Sequence, residues 1–156
     1  MSGARAVIAL GSNLGDREAT LLAATREIAD LEGVELVAAS GAVETVALKP
    51  EGEDPDAPAY LNAVVVVESA LEPLDLLHLL REIEQRHGRV RAERWGDRTL
   101  DLDLIDVAGV TLRTEELTLP HPRAAERAFV LEPWLQADPD ARLTGHGRVR
   151  DLLEAL

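Results

Sequence analysis

Arg94-Trp95-Gly96-Asp97-Arg98-Thr99-Leu100-Asp101-Leu102-Asp103-Leu104-Ile105 is the stretch from which the rest of the chain can be ordered. From Thr99 to Val107 polar and apolar residues alternate, which predicts a half-buried β-strand. Side chains two apart on a strand share a face. Asp101 and Asp103 therefore point one way, and Leu100, Leu102 and Leu104 point the other way, into a core. Two carboxylates about 7 Å apart on one strand face repel each other unless a cation lies between them. Hard oxygen ligands with room for water suit Mg²⁺, which usually works beside phosphates. Upstream, Arg94 and Arg98 are cations able to hold phosphate oxygens. Trp95, between them, is one of four aromatics (two Trp, one Tyr, one Phe). An Asp-x-Asp on a strand is by itself more often a solvated face than a metal site. Four arginines nearby, Arg89, Arg91, Arg94 and Arg98, shift that balance in a chain whose net charge is −13.

The 156 residues predict one domain, 1–156, able to bury a real core. A net charge of −13 argues against nucleic acid or an anionic membrane as a main partner. No cysteine is present, which excludes thiolate chemistry and disulfides. The first ten residues lack the apolar run of a signal peptide, and no run approaches a membrane span. A cytoplasmic monomer is the expectation. Lys49–Pro58, with three prolines and four acids, reads as a mobile segment.

Taken in order, Ala4–Leu10 predicts a short strand. Gly11-Ser12-Asn13-Leu14-Gly15-Asp16 is a turn into a helix capped by Asp16 and closed by Gly33. That turn lacks the ending of a P-loop and the spacing of a dinucleotide fingerprint. Glycine there still permits close backbone approach to a ligand. Val34–Ala39 and Tyr60–Glu68 are strands. Tyr60 and Asn62 share a face, and two readings stay open: a site for a flat heterocycle, or an exposed strand start with a turn-forming Asn. Pro73 opens a helix whose stripe is Leu76, Leu80, Ile83 and His87, ended by Gly88, with Glu84 on its flank. Val110–Leu112 is expected to extend the sheet. Ala124–Gln136 is a helix that Pro133 can break or kink, Asp138-Pro139-Asp140 a turn, and Val149–Leu156 a terminal helix. His121 sits between Pro120 and Pro122, as a phosphate contact or as a plain loop residue.

The order β-α-β-β-α-β predicts an α+β, ferredoxin-like antiparallel sheet with both helices on one face, plus a C-terminal helical extension. With the first and last strands taken as the middle pair, Asp101 and Asp103 are expected on a central strand.

With these residues in hand, the chain resembles the 6-hydroxymethyl-7,8-dihydropterin pyrophosphokinases of folate biosynthesis, from Val7 to about Leu135. The most specific piece is Gly88-Arg89-Val90-Arg91 followed by Arg94 to Asp103. Supporting pieces are Ala9–Gly15, Tyr60-Leu61-Asn62-Ala63, and Pro120-His121-Pro122-Arg123 with Arg127-Ala128-Phe129. The resemblance implies transfer of pyrophosphate from ATP to the pterin hydroxymethyl group, with release of AMP. It implies that Asp101 and Asp103 hold two Mg²⁺ ions and that Arg89 and Arg98 neutralise charge on the transferred group. Glu84, Arg91, Trp95, Arg98, Leu104, Thr118, His121 and Arg127 become ATP contacts. Thr45, Leu48, Tyr60, Asn62, Trp95 and Phe129 become the pterin pocket. Two other classes are weighed against it. A ligand-sensing module has no need for an acid pair, and a nucleotide-sugar transferase needs more chain than this.

Overall fold

The computed structural model describes residues 3–13, 16–45, 47–49, 52–54, 60–88 and 100–156, with 47–49 and 52–54 described through their backbone alone. The elements run β1 (Ala4–Ser12), α1 (Arg17–Ala29), β2 (Val34–Ala39), β3 (Val43–Thr45), β4 (Ala47–Lys49), β5 (Gly52–Asp54), β6 (Tyr60–Ser69) and α2 (Pro73–Arg86). They continue with β7 (Asp101–Val107), β8 (Leu112–Arg113), β9 (Thr118–Leu119), a 3₁₀ turn at Ala124–Glu126, α3 (Ala128–Ala137), β10 (Arg142–Leu143), β11 (Gly147–Arg148) and α4 (Val149–Glu154). Asp16 caps α1 by accepting the Ala19 N–H at 3.1 Å, which satisfies one of the orphan donors of the first turn. Gly88 follows the end of α2 at φ +78°, a left-handed conformation that glycine adopts without strain.

The main sheet has the order β2-β6-β1-β7, with β3 also paired to β6. Every pairing in it is antiparallel. This is the expected βαββαβ arrangement with one correction: β7 is an edge strand, and the middle pair is β1 with β6. β1 has only two edges. One is taken by β6 along its whole length and the other by β7, and among the described residues no strand of this sheet pairs with the far side of β7. Two further corrections concern short segments. Leu112–Arg113 pairs with Thr118–Leu119 in a separate ribbon instead of extending the sheet. Residues 47–49 pair with 52–54, so part of the segment read as mobile is a hairpin. Helix α3 continues through Pro133.

The sheet is covered on both faces. On one, Ala6, Ile8, Leu10, Leu100, Leu102 and Leu104 pack with Leu21 and Ile28 of α1 and Leu76, Leu80 and Ile83 of α2. On the other, Val7, Val64, Val66 and Ile105 pack with Val130, Leu131 and Trp134 of α3 and Val149 of α4. The stripe of leucines in β7 therefore enters the α1/α2 core as its alternation predicts. The Asp101/Asp103 face lies on the side of the C-terminal extension. A bulge interrupts the alternation: Ile8 pairs with Leu104 but Val7 pairs with Asp106. The extra residue turns Asp106 to the C-terminal side, where its Oδ2 accepts from the Thr144 N–H at 3.3 Å and the Thr144 hydroxyl at 3.1 Å.

Candidate active site

Register places the candidate groups in one row across the sheet. Asn62 on β6 pairs with Gly11 on β1, and Gly11 pairs with Asp101 on β7. Residues paired across strands share a face. Asn62 and Asp101 therefore stand on either side of a glycine, about 10 Å apart at two strand spacings, with no side chain between them. A Cβ at Gly11 would meet Asn62 Oδ1 at 3.4 Å and Tyr60 Cδ1 at 3.7 Å, so the missing side chain is what keeps this floor open. One step along, Asp103 pairs with the small Ala9. Asn62 is fixed from its far side: its Nδ2 donates to Thr45 Oγ1 at 2.8 Å and to the Val43 carbonyl at 3.3 Å, which leaves its Oδ1 turned toward Gly11. Thr45, Tyr60 and Asn62, expected together, are together.

A cleft of about 210 Å³ lies at the outer edge of β7, lined by Asp103, Leu104, Thr118, His121, Leu77 and Arg81, among others. It collects Leu104, Thr118 and His121 beside one of the two acids. His121 is tied to the strand edge by its backbone, whose N–H donates to the Ile105 carbonyl at 2.7 Å. Its Nδ1 accepts the Arg123 N–H at 3.3 Å, so the neutral ring carries its proton on Nε2. Burial holds the His121 pKa below its ordinary value; Asp103 works against this, and Arg127 and Arg123 add to it. Arg127 is likewise lowered by burial while Asp103 supports its charge, and its guanidinium lies 5.5 Å from the Phe129 ring centroid, within cation–π range. Asp103, His121, Arg127 and Phe129 form one electrostatic group at the start of α3.

Glu84 has a different place from the one expected of an ATP contact. The residue is 1% exposed. Oε2 accepts the Leu102 N–H at 2.7 Å, and Oε1 accepts from Arg81 Nη1 at 3.1 Å. Oε2 thus ties β7 to α2, while Oε1 pairs with Arg81 within α2 itself. Arg89, Arg91, Trp95 and Arg98 lie outside the described residues, and Leu48 is described through its backbone alone. Arg81, Leu77 and the Glu115–Leu117 turn line the cleft without having been singled out. The signal for Arg81 was its position three residues before Glu84 on one helix face; the turn left no signal, because its proximity to α2 is a tertiary fact.

Asp101 and Asp103 are half-buried on one face, and the residues beside them, Gly11 and Ala9, leave space. That arrangement suits Mg²⁺, which retains water and takes one or two carboxylates together with phosphate oxygens. No helix among the described residues is long and apolar enough to cross a membrane.

Known proteins resemble this chain in both sequence and fold. The sequence profile of the family described as 7,8-dihydro-6-hydroxymethylpterin-pyrophosphokinase matches residues 7–139. The 2-amino-4-hydroxy-6-hydroxymethyldihydropteridine pyrophosphokinase of Mycobacterium tuberculosis is 43% identical over 162 residues, covering 97% of this chain and 82% of that one. The enzyme of that name from Methylorubrum extorquens is 40% identical over 152 residues, covering 97% and 93%. Among solved structures, a Plasmodium falciparum HPPK-DHPS with pteroate superposes with a TM-score of 0.73 at 14% identity, a likeness of fold. It covers 99% of this chain, which spans only 42% of that longer one.

Proposed function

The chain belongs to the 7,8-dihydro-6-hydroxymethylpterin-pyrophosphokinase family and is a pyrophosphokinase, and we propose that it transfers the pyrophosphate of ATP to the hydroxymethyl oxygen of 6-hydroxymethyl-7,8-dihydropterin, with AMP released. The observation that carries this reading is the row Asn62–Gly11–Asp101. It sets an amide that can read the edge of a flat heterocycle about 10 Å from a carboxylate, across a floor with no side chain. A pterin lying over Gly11 has its ring edge at Asn62 and its hydroxymethyl group toward the acids. Tyr60, Thr45, Leu48, Phe129 and Trp95 complete that pocket in this reading.

Asp101 and Asp103 would hold two Mg²⁺ ions. When bound there, magnesium neutralises the triphosphate and polarises the attacking hydroxyl. The protein's own part is positioning and charge. The cleft at Leu104, Thr118 and His121 takes the nucleotide. Neutral His121 donates from Nε2 to an acceptor oxygen, and Arg127 supplies a fixed cation. Arg89, Arg91 and Arg98 would clamp the phosphates and neutralise charge on the group in transfer. Glu84 acts through Leu102 and keeps the two acids in register. The chain would work as a single domain, as a cytoplasmic monomer in folate synthesis.

The test is incubation of the purified chain with ATP, Mg²⁺ and the hydroxymethyl dihydropterin, with nucleotides and pterins resolved chromatographically. AMP forming one-for-one with pterin diphosphate is the expected result. ADP as product, or no turnover with both substrates present, overturns the reading.

A further inference from the structure

A second cavity, of about 310 Å³, is lined by Pro139, Asp140, Ala141, Arg142, Arg148 and Arg150. It shares no residue with the cleft at β7. Arg142 and Arg148 are direct cross-strand partners in the β10/β11 hairpin. Like charges placed opposite one another on paired strands are destabilising. Arg150 adds a third cation. None of the three makes an ion pair among the described residues, although the chain holds 29 acidic residues against 16 basic ones. The lining contributes three positive charges and, from Asp140, one negative.

The frame beneath is well anchored. Ala141, Leu143 and Val149 are buried in the core against α3, and the Val149 N–H donates to the Ala141 carbonyl at 3.0 Å. The arginines thus project from fixed backbone. Arginine's planar fork matches phosphate oxygens, and three forks around a space of this size exceed what one phosphoryl group can use. No aromatic is among the six lining residues, so the cavity offers a nucleobase nothing to stack on.

We propose that this cavity is a second anion site, for a small anion carrying two linked phosphoryl groups, with inorganic pyrophosphate as the simplest case. The inference stands apart from the pyrophosphokinase reading, since it uses none of that site's residues.

The experiment is a titration of the full-length, ¹⁵N-labelled chain with inorganic pyrophosphate in the presence of EDTA, following the amides of Gly145, Gly147 and Val149. Saturable shifts at these amides are expected. The Arg142→Ala/Arg148→Ala double variant, which alters exposed side chains only, should bind at least about tenfold more weakly, the loss expected if even one charged hydrogen bond of about 1.4 kcal/mol is removed. The Arg142→Lys/Arg148→Lys variant, which keeps charge and loses the forks, should fall between. Shifts that grow linearly, that potassium chloride of matched ionic strength reproduces, or that persist unchanged in the alanine variant would overturn the site. Orthophosphate binding as tightly as pyrophosphate would overturn the assignment to two phosphoryl groups.

Discussion

The carboxylate of Glu84 accepts the backbone N–H of Leu102 at 2.7 Å, and Leu102 is the residue between Asp101 and Asp103. A helix side chain thereby stands in for the strand that β7 lacks on its outer edge. It fixes the height of both acids against β1. The edge of a sheet is where a strand is freest to fray, and this edge carries the metal-binding candidates.

Glu84→Ala should therefore act on stability and on activity. It leaves a buried N–H without a partner, which costs about 1–3 kcal/mol and lowers the melting temperature by several degrees. It should also reduce kcat and speed amide exchange at Leu102. Glu84→Gln keeps an acceptor for Leu102 and should retain slow exchange there. Exchange at Leu102 unchanged in the alanine variant would remove the positioning role.

Asp101→Ala and Asp103→Ala should each cost about 10³-fold or more in turnover, the scale of losing a principal electrostatic contact to the transferred group. Far-ultraviolet circular dichroism should stay that of wild type, because both side chains are half-buried on an open face. In Asp103→Ala the His121 pKa, followed by NMR, should move lower still, since the carboxylate that supports its charged form is gone. Turnover near wild type in either variant would dismiss the metal assignment.

Gly11→Ala separates the floor of the site from its stability. The new Cβ reaches Asn62 Oδ1 at 3.4 Å and Tyr60 Cδ1 at 3.7 Å, ordinary contact that the fold accommodates. The melting temperature should stay close to that of wild type. The KM for the pterin should rise at least about tenfold, as expected when a methyl group fills the approach to a closely fitted pocket, with the KM for ATP little changed. Equal effects on both substrates would place the pterin elsewhere.

Two groups contribute to the pH dependence of stability in opposite senses. His121 binds its proton less readily folded than unfolded, so stability declines as pH falls below 6.5 toward its folded value. His121→Gln should flatten that acid limb in chemical denaturation between pH 5 and 7.

Asp106 behaves in reverse. Burial pushes its carboxyl above the ordinary 3.8, with the hydrogen bonds from Thr144 offsetting only part of this, and its Oδ1 is buried with no partner among the described residues. The folded state then keeps this proton to higher pH than the unfolded chain, and stability falls as pH rises through that window. Asp106→Asn should gain stability over wild type as pH rises from below 3.8 to 7, measured by urea denaturation at each pH. A pH-independent difference would leave Asp106 without a titrating role.

Much of this protein could be read along the chain. The period-two alternation from Thr99 to Val107 is a local property, since successive side chains of any strand point to opposite faces. It set Asp101 and Asp103 on one face and three leucines on the other without reference to any neighbour. The order of strands and helices, the cap at Asp16 and the stop at Gly88 are equally local, and so was the family resemblance carried by residues 88–103.

Contacts between distant segments were decided by tertiary structure alone. That β7 lies at an edge depends on which strands pair with it, and among the described residues of the main sheet only β1 does. That Glu84 caps that edge depends on α2 crossing beneath a strand 18 residues away. The bulge that turns Asp106 toward Thr144, 38 residues further on, arises where the C-terminal extension closes over the second face of the sheet. Periodicity specifies which way a side chain points, but pairing and packing choose what it meets, because the free energy of those contacts belongs to residues that no short window of sequence contains together.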